Sequence, residues 1–98
     1  MLPPFRKIFV VDFEFVADPG KRPKPVCVVF HEINSGKTQK IWLEGRNPLS
    51  FNPPYPMGED SLFIAYYSSA EWGCHLALNW PLPVNVIDLY AEIQENHE

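Results

Sequence analysis

The run Ile8-Phe9-Val10-Val11-Asp12-Phe13-Glu14-Phe15 constrains the fold more than any other stretch of the chain. Its β-branched and aromatic residues favour extended backbone. Its first half is apolar at consecutive positions, as in a central strand covered on both faces. Successive side chains of a strand point to opposite faces, so Asp12 and Glu14 leave by one face and Phe13 and Phe15 by the other. Two carboxylates then stand roughly 6–7 Å apart on one patch. Like charges on an apolar strand are costly unless a cation neutralises them or water screens them. Two readings stay open: a solvated sheet face, which such alternation commonly marks, and a cation site, where hard oxygen ligands favour Mg²⁺ or Mn²⁺ over zinc.

A chain of 98 residues is one domain, 1–98, with a single core. Hydrophobic residues make up 46% and aromatic residues 14%, enough apolar material to exclude a disordered segment. The net charge of −4 argues against a generally basic nucleic-acid-binding surface but leaves a locally basic groove open. Cys27 and Cys74 form no Cys-x-x-Cys pair, so they suggest neither zinc nor a disulfide framework, and read as buried thiols of a cytoplasmic protein. The N-terminus does not fit a signal peptide, since its short apolar run soon meets Asp12 and Glu14. Nothing in the sequence is long and apolar enough to span a membrane.

Asp18-Pro19-Gly20 ends the first strand with a turn. The basic loop Lys21-Arg22-Pro23-Lys24-Pro25 follows, either a plain solvated turn or a contact for a phosphate backbone close to a bound metal. Residues 26–32 are predicted as a second strand. After the Asn34-Ser35-Gly36-Lys37 turn, residues 38–43 form a third, completing a three-stranded antiparallel meander. From 44 to 60 the prolines at 48, 53, 54 and 56 remove regular structure, predicting an ordered surface connection that serves as a functional flap or needs neighbours to order it. A strand at 62–67 leads into a helix at 68–80, opened by the capping box Ser68 to Glu71 and closed by Pro81, with Trp72, Leu76 and Trp80 as its packed stripe. A last strand at 84–89 and a helix starting at Tyr90 follow.

This order, with Asp-x-Glu on the first strand, resembles the ribonuclease-H-like fold of the DEDD 3'-5' exonucleases, and within them the proofreading-type domain of bacterial and phage family A DNA polymerases. The resemblance is carried by Val11-Asp12-Phe13-Glu14-Phe15, by the strand-to-helix block from Phe63 to Glu71, and by the junction from Asn85 to Glu92. It implies an α/β mixed sheet, a metal-dependent exonuclease acting on a single-stranded DNA 3' end, and the rest of a polymerase or a partner chain as neighbour. It also implies Asp12, Glu14 and Glu71 as catalytic, metal-binding carboxylates for Mg²⁺ or Mn²⁺. Where the family has an aspartate in the first turn of the second-motif helix, this chain has Glu71. The family's final aspartate and its accompanying histidine or tyrosine have no counterpart before Glu98, so the domain reads as incomplete, truncated before the last motif, and is expected to lack efficient turnover or to be inactive. Asp88 is assigned a supporting role, and His97 lies near the terminus.

Two-ion phosphodiester hydrolysis needs carboxylates converging from separate elements. The resemblance gives Asp12 the bridging role, Glu14 the ion that activates water, and Glu71 the other ion. Glu71 has a competing role as the cap of its own helix, returning to the Ser68 amide. Tyr66, Tyr67, Trp72 and Trp42 are either core aromatics or stacking platforms for bases. His75 reads as a packed or partly exposed side chain and not a ligand, since no second histidine stands at helical spacing. A noncatalytic ribonuclease-H-like binding module is the alternative function.

Overall fold

The structure, a computed structural model, describes residues 5–45, 52–66 and 68–89, with the backbone alone at 68 and 69. The predicted C-terminal helix, Tyr67, His97 and the 46–51 part of the connection lie outside the described residues. The elements are β1 Lys7–Val16, β2 Lys24–Glu32, β3 Lys37–Trp42, β4 Ser61–Ala65, α1 Ser68–Ala77 and β5 Val86–Asp88. They build a mixed α/β fold whose five-stranded sheet has the order β3-β2-β1-β4-β5. β1 pairs antiparallel with β2 and β2 with β3, whereas β1–β4 and β4–β5 are parallel. The expected meander is therefore present, and β2 runs against the other four described strands. No described helix is long and apolar enough to cross a membrane.

Local chemistry explains the turns. At the β2–β3 turn Gly36 takes φ 73°, a left-handed conformation that glycine adopts without steric cost. Its N–H donates to the Glu32 carbonyl at 2.9 Å. The Glu32 carboxylate accepts the N–H groups of Asn34, Ser35 and Ile8 at 2.8, 2.9 and 3.3 Å, so one side chain ties the turn to β1. The Asn34 N–H above all holds this carboxyl down to about 2. At the far end of the pair, Glu14 faces Cys27 but Phe15 faces Pro25, which leaves Val26 as an extra residue in β2. The Val26 carbonyl accepts from both Leu43 and Glu44, and the bulge lies in the first part of β2, the strand that bends there.

The core lies on one face of the sheet, built from Phe9, Val11 and Phe13 of β1, Val28 and Phe30 of β2, and Phe63 of β4. Helix α1 covers it with Cys74, joined by Leu78 and Trp80 beyond its end. The predicted stripe of Trp72, Leu76 and Trp80 is corrected here. Leu76 is exposed, and Glu71, Cys74, His75 and Leu78 face inward at helical spacing. The helix also stops earlier than Pro81 requires. Asn79 adopts φ 59°, and the Trp80 N–H donates to the His75 carbonyl at 2.8 Å while Asn79 N–H donates to Leu76 at 3.1 Å, a Schellman ending. Trp80 is thereby released from the helical stripe and turned into the core.

The proline-rich connection is likewise more than a surface strap. Tyr55 is buried among Phe9, Phe30 and Phe63, with ring centroids 5.6, 5.2 and 4.9 Å away. The neighbouring prolines limit backbone freedom around Tyr55, which lowers the entropy lost when it plugs the core.

Candidate metal centre

Hydrogen-bond parity along β1 decides where its polar groups point. Ile33 N–H donates to the Ile8 carbonyl on the β2 side. Backbone groups alternate along a strand, so those of Phe9, Val11 and Phe13 point toward β4. The β1–β4 ladder runs from Lys7 opposite Ser61 to Val10 opposite Ile64, and β4 ends at Ala65. The Phe13 N–H therefore emerges beyond the end of β4, where a parallel strand has nothing left to accept it. Glu71, in the first turn of α1, fills that place: its Oε2 accepts the Phe13 N–H at 2.8 Å.

This contact brings the three sequence-predicted carboxylates into one electrostatic neighbourhood. Asp12 and Glu14 flank Phe13 and are exposed, whereas Glu71 is only 5% exposed. Burial pushes the Glu71 carboxyl up, the Phe13 N–H pulls it back, and the charges of Asp12 and Glu14 push it up further, to about 7. Of the two roles open for Glu71, cap or ligand, the structure thus adds a third, the acceptor for an orphaned strand amide.

The donors suit a hard divalent ion in kind, since all three offer carboxylate oxygen, and a carboxyl raised by burial and by the charges of Asp12 and Glu14 marks negative charge that a cation would relieve. Asp12, Glu14 and Glu71 are the residues that would hold Mg²⁺ or Mn²⁺. As the side chains stand, no group of three or more His, Cys, Asp or Glu among the described residues is gathered to hold an ion. Asp88 sits on β5 opposite Ala65, two strands from β1.

The basic loop lies against the same helix. An added Cβ on Gly73 would come 3.4 Å from the Pro23 ring, so glycine lets this loop approach α1 two residues beyond Glu71. Lys21, Arg22 and Lys24 are exposed around that contact.

Sequence reasoning missed the support behind the acidic cluster. His75 is fully buried, with the Tyr55 hydroxyl 2.7 Å from Nε2 and the Pro81 carbonyl 2.9 Å from Nδ1. A carbonyl can only accept, which assigns the proton to Nδ1 and makes Nε2 the acceptor from Tyr55. Burial lowers the His75 pKa, keeping it neutral. Phe13, Trp72 and Trp80 close around the ring at 5.7, 4.9 and 5.2 Å. His75 thus packs on the residue whose amide holds Glu71. The four-residue spacing of Glu71 and His75, which places both on one helix face, was the available signal.

No family model, curated protein or solved structure matches this chain.

Proposed function

We propose that the chain is a metal-dependent 3'-5' exonuclease-like domain of ribonuclease-H-like fold, working in the cytoplasm on single-stranded DNA 3' ends. The observation that carries this reading is the hydrogen bond that draws Glu71 from the strand-to-helix corner to the amide of Phe13, the residue that separates Asp12 from Glu14 in the sequence of β1. The sheet order, with an Asp-x-Glu on the central strand and a helix after β4, supports the fold assignment. Bound Mg²⁺ or Mn²⁺ would supply an activated water and stabilise the leaving oxygen. Asp12 and Glu14 would bind from the exposed side, and Glu71, with a carboxyl near neutrality, could accept or release a proton at its carboxylate as the site fills. Lys21, Arg22 and Lys24 would meet the phosphate backbone.

Turnover by the chain alone should be slow, because the family's last aspartate and its water-positioning histidine or tyrosine have no assigned counterpart. Loss of such a group typically lowers the rate about 10²–10⁴-fold. The rest of a polymerase or a partner chain would complete the site. Incubation of end-labelled single-stranded DNA with the purified chain and Mn²⁺ tests the reading: slow 3' shortening that is lost in Asp12→Ala supports it, and shortening that persists in Asp12→Ala defeats it.

A noncatalytic binding module of the same fold is favoured by one observation, that Glu71 already satisfies the Phe13 amide with the acids ungathered. Mn²⁺ titration separates the two readings. Unchanged spectra of β1 at millimolar Mn²⁺ would select the binding module.

A further inference from the structure

The sheet face opposite the core carries more than the acid pair. Cross-strand register places Trp42 of β3 opposite Cys27 of β2, and Cys27 opposite Glu14 of β1. Register partners share a face, so Trp42 and Glu14 belong to one row across the sheet. The next row runs from Lys40 through Val29 to Asp12. Cys27 is buried within its row, whereas Trp42 is 55% exposed. Trp72 is half-buried and Trp80 buried, which makes Trp42 the open indole among the described residues. Lys40 Nζ stands 4.7 Å from the centroid of the Trp42 ring.

From these rows we infer that Trp42 and Lys40 form a docking platform for single-stranded DNA that leads across β2 to Asp12 and Glu14. The inference rests on the exonuclease-like reading and names the path of its substrate. The Lys40 ammonium covers one face of the exposed Trp42 indole, so a base stacks on the ring where that ammonium moves aside to pair with its phosphate. The sheet sets the spacing. Two inter-strand steps separate Trp42 from Glu14, about 10 Å, which matches about three stacked nucleotides at about 3.4 Å each. The base on Trp42 thus lies a few nucleotides from the bond that the acids face. Repulsion from Asp12 and Glu14 keeps the phosphates off the centre of the sheet until a cation is present, so attachment begins at the Lys40 edge.

The test is metal-free binding of fluorescein-labelled octathymidylate, followed by anisotropy in low salt. The wild-type chain should bind, Trp42→Ala should weaken binding about 5- to 100-fold, Trp42→Tyr should restore most of it, and Lys40→Glu should weaken it and flatten its salt dependence. Melting curves confirm that each variant is folded. Equal affinity of wild type and Trp42→Ala, or the absence of wild-type binding up to millimolar chain, overturns the platform. Tighter binding of octauridylate than octathymidylate overturns the assignment to DNA. Because no metal is present, these outcomes are independent of the Asp12→Ala cleavage test, so the platform and the exonuclease-like reading can fail separately.

Discussion

The N–H of Phe13 and Oε2 of Glu71 meet at 2.8 Å although the two residues are 58 positions apart in sequence. The bond takes over where the β1–β4 ladder stops, so a side chain from α1 does the work of one more strand residue. It also holds a carboxylate in a buried place beside two others. Fold stability and site electrostatics therefore meet in one group.

The first consequence is a pH dependence of stability. An unfolded glutamate titrates near about 4.3, while Glu71 in the folded chain is pushed up to about 7. The folded state thus binds the proton more tightly. Its stabilising effect is fully present below the unfolded value and is lost as pH rises through 7. Glu32 acts oppositely: its carboxyl is held down to about 2, so its contribution is present above the ordinary range and lost as pH falls toward 2. Denaturant melts between pH 2 and pH 9 should show greatest stability at about pH 4.5, where the acid-side gain from Glu32 is complete and the loss from Glu71 begins. The loss from pH 5 to pH 8 should be on the order of 2 kcal/mol. Glu71→Gln, which still accepts the Phe13 N–H, should remove that alkaline loss, and an unchanged loss would show that Glu71 is not its source.

A second prediction couples the metal to the same proton. If Mn²⁺ binds at Asp12, Glu14 and Glu71, the ion must displace the proton that Glu71 carries near neutrality, and affinity should rise with pH between 6 and 8. Calorimetry in buffers of different ionisation enthalpy would detect the released proton. Glu71→Gln should abolish the release and weaken binding severalfold, and Asp12→Asn should abolish binding. Mn²⁺ affinity that is independent of pH and of Glu71 would remove Glu71 from the ligand set.

Strand and helix identities were legible because they are local. Ile8 to Phe15 could be read as the central strand from its composition, and Ser68 with Glu71 marked the helix start. The face of α1 was not legible in the same way. Trp72 and Leu76 are its largest apolar residues and Trp80 follows its end, yet the buried face includes Glu71 and His75, whose partners Phe13, Tyr55 and Pro81 come from outside the helix. Polar burial depends on such distant partners, which periodicity does not carry. Tyr55 hid for the same reason, since its prolines announce a loop and not what the loop covers.

The Tyr55–His75 pair gives a third prediction. Tyr55→Phe keeps the ring in its aromatic cage but leaves Nε2 of a buried neutral imidazole without its donor. The cost should be about 1–3 kcal/mol. His75→Phe in the Tyr55→Phe background removes the orphaned nitrogen, so the double variant should lose less than the sum of the two single losses. Chemical denaturation of the four proteins measures the coupling, and additive losses would mean that the hydrogen bond contributes nothing.

The end of α1 supplies the last prediction. Asn79 holds φ 59°, a conformation that costs most L-residues about 1–2 kcal/mol but suits asparagine and glycine. That turn directs the Trp80 N–H back to the His75 carbonyl and carries the chain to Pro81, whose carbonyl accepts from Nδ1 of His75. Asn79→Gly relieves the backbone and raises unfolded-state entropy, two effects of opposite sign, so stability should change by less than about 0.5 kcal/mol. Asn79→Ala has no such relief and should lose about 1 kcal/mol. Because the turn positions the Pro81 carbonyl, Asn79→Ala should also speed exchange of the His75 Nδ1 proton in ¹H–¹⁵N spectra, while Asn79→Gly leaves it slow. Equal melting points and equal exchange in the two variants would show that the left-handed turn does not hold the imidazole in place.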